Sequence, residues 1–187
     1  FRHAQDNSPG PVYLEVPTDL LSTQVDLERV KFPTNYMATS IPGGAPALIE
    51  EAAALLASAD RPAVVVDDGA FWTLGENSEA ISELSDFLKM PIGVVGTGCR
   101  GHFGNERENA MVKLNASSKA DVVLALGCRF DFRHGSGAAI SRDAKIIQVH
   151  SDPRQIGFNL RADVGIVGGA GSVAKQILDV MKSKRNP

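Results

Sequence analysis

Residues 120–137 read ADVVLALGCRFDFRHGSG. Its first eight residues form a short apolar run that ends on glycine, and a segment with two arginines, an aspartate and a histidine follows. An unbroken run of this length fits a strand buried on both faces, and the change to polar and glycine residues marks where the chain leaves the sheet. Four other runs have the same character: PAVVVDDG (62–69), MPIGVVG (90–96), AKIIQVH (144–150) and ADVGIVG (162–168).

Between these runs lie APALIEEAAALLASA (45–59), ENSEAISELSDFLK (76–89) and NERENAMVKLNASSK (105–119), and GSVAKQILDVMKSK (171–184) follows the last. Their apolar residues recur three or four positions apart, as in Ile81, Leu84 and Leu88, or Val173, Ile177, Val180 and Met181. That spacing predicts amphipathic helices. Strands alternating with helices imply right-handed crossovers and a sheet covered on both sides. The expected fold is α/β and doubly wound, a mostly parallel six-stranded sheet with helices on both faces. The first 44 residues depart from this pattern. GPVYLEVP (10–17) reads as a strand bounded by prolines, and residues 18–44 have two internal prolines and no sustained period. They read as an irregular arm or interdomain connector.

The 187 residues are 43% hydrophobic with a formal net charge of −3, enough for a real core and without a block of like charge. Neither nucleic acid nor a membrane surface is expected as a partner. No apolar run approaches the roughly 18 residues of a membrane span, and FRHAQDNSPG at the start has no signal-peptide character, so the expected location is cytoplasmic. Cys99 and Cys128 are the only cysteines and form no C-x-x-C pair. Neither a disulfide framework nor a metal site is expected. The chain opens without methionine and closes on KSKRNP, which reads as a stop inside a linker of something longer.

GTGCRG (96–101) fits G-x-G-x-x-G, the dinucleotide phosphate loop. The fingerprint also requires a helix opening at the loop and an acidic residue roughly 20 positions on, at the end of the next strand. The helix here is expected only from Asn105 or Glu106, and Asp121 begins the next strand. The loop also follows the second strand, whereas the fingerprint belongs to the first turn. Gly96, Gly98 and Arg100 therefore read as one wall of a cleft at the carboxyl edge, where ligands of open α/β sheets bind.

DDGAFW (67–72), GCRFDFRHGSG (127–137) and HSDPRQIGFN (150–159) should emerge at the same edge. Arg129 and Arg133 suit a phosphate held by paired donors, and equally an ion pair with Asp131 or a nearby carboxylate. SDP (151–153) reads as a helix cap followed by proline, and Phe71 and Trp72 as core or interface side chains or as a cover for a flat ligand. The four histidines show no catalytic spacing; His150 alone lies at a strand end in the cleft. No nucleophile elbow, P-loop lysine or paired catalytic carboxylate is present, and no catalytic residue is assigned.

Three stretches together resemble one family. SPGPVYLEVPTDLL (8–21) looks like the segment that closes the pyrimidine-binding domain of thiamine-diphosphate-dependent enzymes. GCRFDFR (127–133) resembles the acetolactate-synthase pattern G-x-R-F-D-D-R, and IIQVHSDPRQIGFN (146–159) resembles I-x-I-D-P-x-x-I-G-x-N, followed by Ala162 and Asp163. The resemblance implies a central, nucleotide-binding-like domain at 45–187, a linker at 22–44 and the tail of the preceding domain at 1–21. It implies a parent lyase or transferase, a homodimer or homotetramer, that uses thiamine diphosphate and Mg2+ held by motifs outside these residues. In such enzymes this domain holds FAD, or ADP in some relatives. The positions that match the family's are Arg129, Phe130, Asp131, Arg133, Ala162 and Asp163; with Gly69, Gly96, Gly98, Arg100, Gly127 and His150 from the cleft edge, they are the candidate cofactor-binding residues. Two departures weigh against FAD. Asp67 and Asp68 stand before Gly69 where flavin-binding members have a glycine run, two carboxylates that would repel a diphosphate unless a cation or arginine intervened. Where the family has aspartate between the two aliphatics of I-D-I-D-P this chain has His150, and Ser151 replaces the second aliphatic, so a ribose-binding carboxylate is missing. An altered nucleotide or an empty cleft then stays open, as does a freestanding nucleotide-binding or regulatory module of related topology.

Overall fold

The computed structural model describes residues 1–6, 8–38, 40–103 and 117–185. Five parallel strands form one sheet: β1 (Pro62–Val66), β2 (Ile92–Val94), β3 (Val122–Leu126), β4 (Lys145–His150) and β5 (Val164–Val167), in the order β2-β1-β3-β4-β5. The register sets Val66 opposite both Val94 and Leu126, and Val149 opposite Leu126 and Ile166. The carboxyl ends therefore align, and Asp67, Val95, Gly127 and His150 emerge at one edge. The sequence order reverses between β1 and β3, so their loops leave in opposite directions and a crevice opens there, the place where open α/β sheets take ligands.

The sheet has five strands where six were expected, and all are parallel. Residues 10–17 run extended but exposed and join no ladder among the described residues. Pro11 and Pro17 have no N–H to give to a neighbour, which fits this stretch better as free chain than as an internal strand. Two single-turn helices, α1 (Arg2–Gln5) and α2 (Thr18–Leu21), punctuate the arm and bury nothing.

Alternating residues of each strand feed two cores. Val64, Val66, Leu124, Leu126, Ile147, Val149, Val164 and Ile166 face α3 (Pro46–Ser58), α5 (Glu79–Leu88) and α6 (Ala170–Arg185). Proline at the first position and an alanine-rich interior favour α3, which buries Ile49, Ala52, Ala53 and Leu56 at helical spacing. Helix α5 starts at Glu79 rather than 76, after a 3-10 turn, and ends at Lys89 in the left-handed conformation just before Pro91. Helix α6 buries Val173, Ile177, Leu178 and Met181 and ends with Lys182, Lys184 and Arg185 against its own carbonyl dipole.

The opposite face carries smaller residues, Ala63, Val65, Val123, Ala125 and Ile146, which pack with Phe130 and Ile140. The helix expected over 105–119 lies mostly outside the described residues; 117–119 are helical. Among the described residues no helix is long and apolar enough to cross a membrane. Asp121 sits at the amino edge, as its place before β3 required, and its carboxylate accepts from the N–H groups of Asp60 (2.7 Å) and Arg61 (2.9 Å), which fastens the entry to β1.

The turns after β1 and β3 touch backbone to backbone. Gly127 has φ +66°, and a Cβ there would lie 1.9 Å from the Ala70 nitrogen. Gly157 is also left-handed, φ +72°, but nothing stands within 4 Å of a Cβ there. Gly157→Ala is therefore expected to lose only the conformational term, about 1–2 kcal/mol. Gly127→Ala adds overpacking and should lose about 3–4 kcal/mol. Urea unfolding of the two variants checks this; equal losses would show that the turns are not in close contact.

Candidate functional site

The crevice between β1 and β3 is built by three turns. After β1, Asp67 caps the single-turn helix α4 (Asp68–Phe71), its carboxylate accepting the Asp68 N–H at 2.8 Å. After β2 the glycine loop folds against α4. After β3, Asp131 caps the 3-10 segment Phe132–Gly137 and accepts the Arg133 N–H at 2.9 Å. Short polar side chains compete for free N–H groups at such helix starts, which is why the chain turns on an aspartate after β1 and after β3.

The glycines of these turns make room for the chain itself. A Cβ on Gly96 would lie 2.2 Å from Oδ1 of Asp68. On Gly69 it would lie 2.5 Å from the Gly127 carbonyl oxygen and 2.7 Å from Nε2 of His150. The Gly98 N–H donates to Asp68 Oδ1 at 2.9 Å. GTGCRG is thus a seat for a carboxylate from α4. Cys99 and Cys128 are both buried, and their thiols donate to the carbonyls of Asp67 and Val65.

Arg133 is the hub. Its Nη1 donates to Asp68 Oδ2 at 2.6 Å and stands 3.5 Å from Asp67 Oδ1, and its Nη2 and Nε engage Asp131 at 2.8 and 3.2 Å. Side-chain bonds to Asp131 and Asp68 outweigh the penalty of partial burial and raise its pKa further, so it stays charged. Asp131 is held below its ordinary value chiefly by Arg133. For Asp68, desolvation pushes upward but the Gly98 N–H and Arg133 prevail and lower it. Asp67, only 1% exposed, goes the other way because burial dominates its neighbours.

Two buried histidines flank this cluster. His134 lies 3.8 Å from both Asp67 and Asp131, edge-on to Phe130, with neither ring nitrogen hydrogen-bonded. Burial lowers its pKa. His150 accepts the Asp152 N–H on Nδ1 at 3.0 Å and packs Nε2 against Gly69; burial, then Arg129, drives it down to about 4, so it is neutral. Gln148, fully buried in β4, donates to the carbonyls of Cys128 and Gln155 and accepts the Gly157 N–H, tying the β3 and β4 loops together.

Of the residues singled out from sequence, Gly69, Gly96, Gly98, Gly127, Asp131, Arg133 and His150 meet here. Arg129 lines the mouth with Trp72. Arg100 lines a neighbouring cavity of about 150 Å³ with Arg133 and His134. Phe130 is fully buried in the smaller core. Asp163 stands at the other edge of the sheet, where it accepts from the Ile146 N–H and Lys145 Nζ, both at 2.9 Å. A carboxylate that opens a parallel strand cannot reach the end where its neighbours finish. Sequence reasoning missed His134, whose signal was its position three residues after Asp131, and Gln148, the one polar residue inside an aliphatic strand.

The crevice is small and lined by charges of both signs. Its cavity is about 120 Å³, below the roughly 300–1,000 Å³ of small-molecule sites. Two arginines and two aspartates line it, and Asp131 pairs with one of the arginines, Arg133. A phosphate charge about 5 Å from one such carboxylate meets about 3 kcal/mol of repulsion at an effective dielectric of ~20. Among the described residues no cluster of His, Cys, Asp and Glu could hold a metal ion.

Residues 49–177 match the family model described as thiamine pyrophosphate enzyme, central domain. A probable acetolactate synthase large subunit of Methanocaldococcus jannaschii is 32% identical over 198 residues, covering 95% of this chain and 32% of that protein. The acetolactate synthase of Mycobacterium bovis is 30% identical over 200 residues, covering 100% of this chain and 31% of that protein. The acetolactate synthase large subunit of Pyropia yezoensis is 30% identical over 196 residues, at 96% and 32%. The chain spans about a third of the length of the curated relatives it matches.

Arg133→Met leaves three carboxylates without their shared partner. The loss should be about 2 kcal/mol at pH 7, below the ~3–5 kcal/mol of a fully buried pair because the Arg133 side chain is 31% exposed. Asp68 and Asp131 have depressed pKa values in the folded protein, so their contribution is present above the ordinary value of 3.8 and fades as pH falls through the folded values. The stability gap between wild type and variant should therefore narrow below about pH 4. Denaturant melts across pH 3 to 8 measure it; a gap independent of pH would show that the guanidinium contributes packing alone.

Proposed function

The chain belongs to the thiamine pyrophosphate enzymes, as their central domain, and from that premise we propose that it serves an acetolactate-synthase-like enzyme that makes or breaks a carbon–carbon bond next to a carbonyl. Residues 45–187 are then the central domain, 22–44 the linker and 1–21 the tail of the preceding domain. The observation that carries the reading is the family match over 49–177 together with acetolactate synthase relatives at 30–32% identity, each about three times as long as the aligned region.

The geometry supports a scaffold rather than a catalytic centre. The polar side chains at the carboxyl edge are occupied with one another: aspartates cap turns, Arg133 is held by carboxylates, and His150 is neutral with Nδ1 engaged. None pairs a nucleophile with a base among the described residues. When bound elsewhere in the parent with Mg2+, thiamine diphosphate supplies the stabilised carbanion that such chemistry needs. This domain joins and spaces the parts that hold it. The parent is read as a cytoplasmic homodimer or homotetramer with lyase or transferase activity.

The full encoded protein, given thiamine diphosphate and Mg2+, is expected to consume a 2-oxo acid such as pyruvate, with activity lost when either is withheld. Turnover by residues 1–187 alone, or no thiamine-diphosphate-dependent turnover of any 2-oxo acid by the full protein, would contradict the proposal.

A further inference from the structure

A phosphate bound where an open α/β sheet reverses its strand order is held by backbone N–H groups of a glycine-rich turn and by an arginine fork. Both kinds of donor are present at the β1/β3 crevice, and both are already engaged. The Gly98 N–H and Arg133 Nη1 each donate to one oxygen of the same carboxylate, Asp68, at 2.9 and 2.6 Å. The absence of a side chain at Gly96, which elsewhere would let a phosphate approach the backbone, here accommodates Asp68 Oδ1. Nε and Nη2 of Arg133 donate to Asp131, and Nη1 also stands 3.5 Å from Asp67 Oδ1.

We infer that Asp68 is a built-in occupant of an oxyanion seat formed by Gly98 and Arg133, so that the crevice is closed to nucleotide diphosphates by the chain's own carboxylate. The two anions exclude each other sterically and by charge. Asp67 deepens the effect: it is buried, lines the same cavity and presents a second carboxylate to any incoming phosphate. The seat is a latch. It fastens the turn after β1 to the turns after β2 and β3 without a cofactor, and removing the latch uncovers donors that suit a phosphate-class oxyanion. The inference concerns this crevice alone and stands or falls independently of the parent's reaction.

The test compares the full wild-type protein with Asp68→Ala, and uses inorganic phosphate and ADP as probes. Reading the difference between the two proteins cancels any phosphate taken up elsewhere. Asp68→Ala should lower the Tm, and phosphate or ADP should restore part of the loss while leaving the wild type unshifted at the same concentration. Calorimetry should give ADP an affinity at least ~10-fold higher for the variant. If Asp68→Ala does not fold, Asp68→Asn serves: its carboxamide oxygen can keep the Gly98 bond while Arg133 retains only Asp131 and Asp67 as carboxylate partners, and phosphate should stabilise it more than the wild type. A wild type that binds ADP or FAD as tightly as the variant, or a folded variant that gains nothing from phosphate, would overturn the inference.

Discussion

The guanidinium of Arg133 is the constraint on which the carboxyl edge depends. One planar group, with donors fixed in a fork, takes Asp68 from the turn after β1 and Asp131 from the turn after β3, and through Asp68 reaches the Gly98 N–H after β2. Strands of a parallel sheet are held to one another by their ladders, but the loops beyond them have no such ladder. Here three loops are joined by charge. The arrangement needs close backbone approach, which is why Gly69, Gly96 and Gly127 carry no side chain at points where a Cβ would meet atoms within 2.5 Å.

The same constraint separates architecture from ligand. A doubly wound sheet with strand order β2-β1-β3-β4-β5 offers a crevice at its switch point whatever the sequence. What the crevice can accept depends on the side chains at its rim, and in this protein three aspartates surround the arginine that an anion would need. Fold alone would suggest a nucleotide, whereas the proposed latch at the rim argues against one. The proposed role as a scaffold in a larger thiamine-diphosphate-dependent enzyme follows the same division, with chemistry placed in other parts of the parent.

Much of the sheet was legible in the sequence because strands buried on both faces are written as short unbroken aliphatic runs, and α3, α5 and α6 as apolar residues three and four apart. The proline-bounded stretch at 10–17 satisfies a local strand pattern, yet it belongs to the arm and joins no ladder among the described residues, so the sheet has five strands. Of the three grounds against GTGCRG as a fingerprint, the place of Asp121 at the amino end of β3 is seen directly, while the late helix start lies outside the described residues. Less of the site was legible. The pairing of Asp68 with Arg133 spans 65 positions and depends on the reversal of strand order, which no local pattern encodes, although DDG in place of a glycine run already called for a cation. Asp163 was placed with the cleft by resemblance alone, whereas its position before a parallel strand puts it at the opposite edge.

The account is tested most directly by the electron density of the protein crystallised with saturating ADP. It expects Asp68 Oδ2 to remain about 2.6 Å from Arg133 Nη1, with no diphosphate against the Gly98 nitrogen. A diphosphate seated on that guanidinium, with the Asp68 carboxylate turned away, would contradict it.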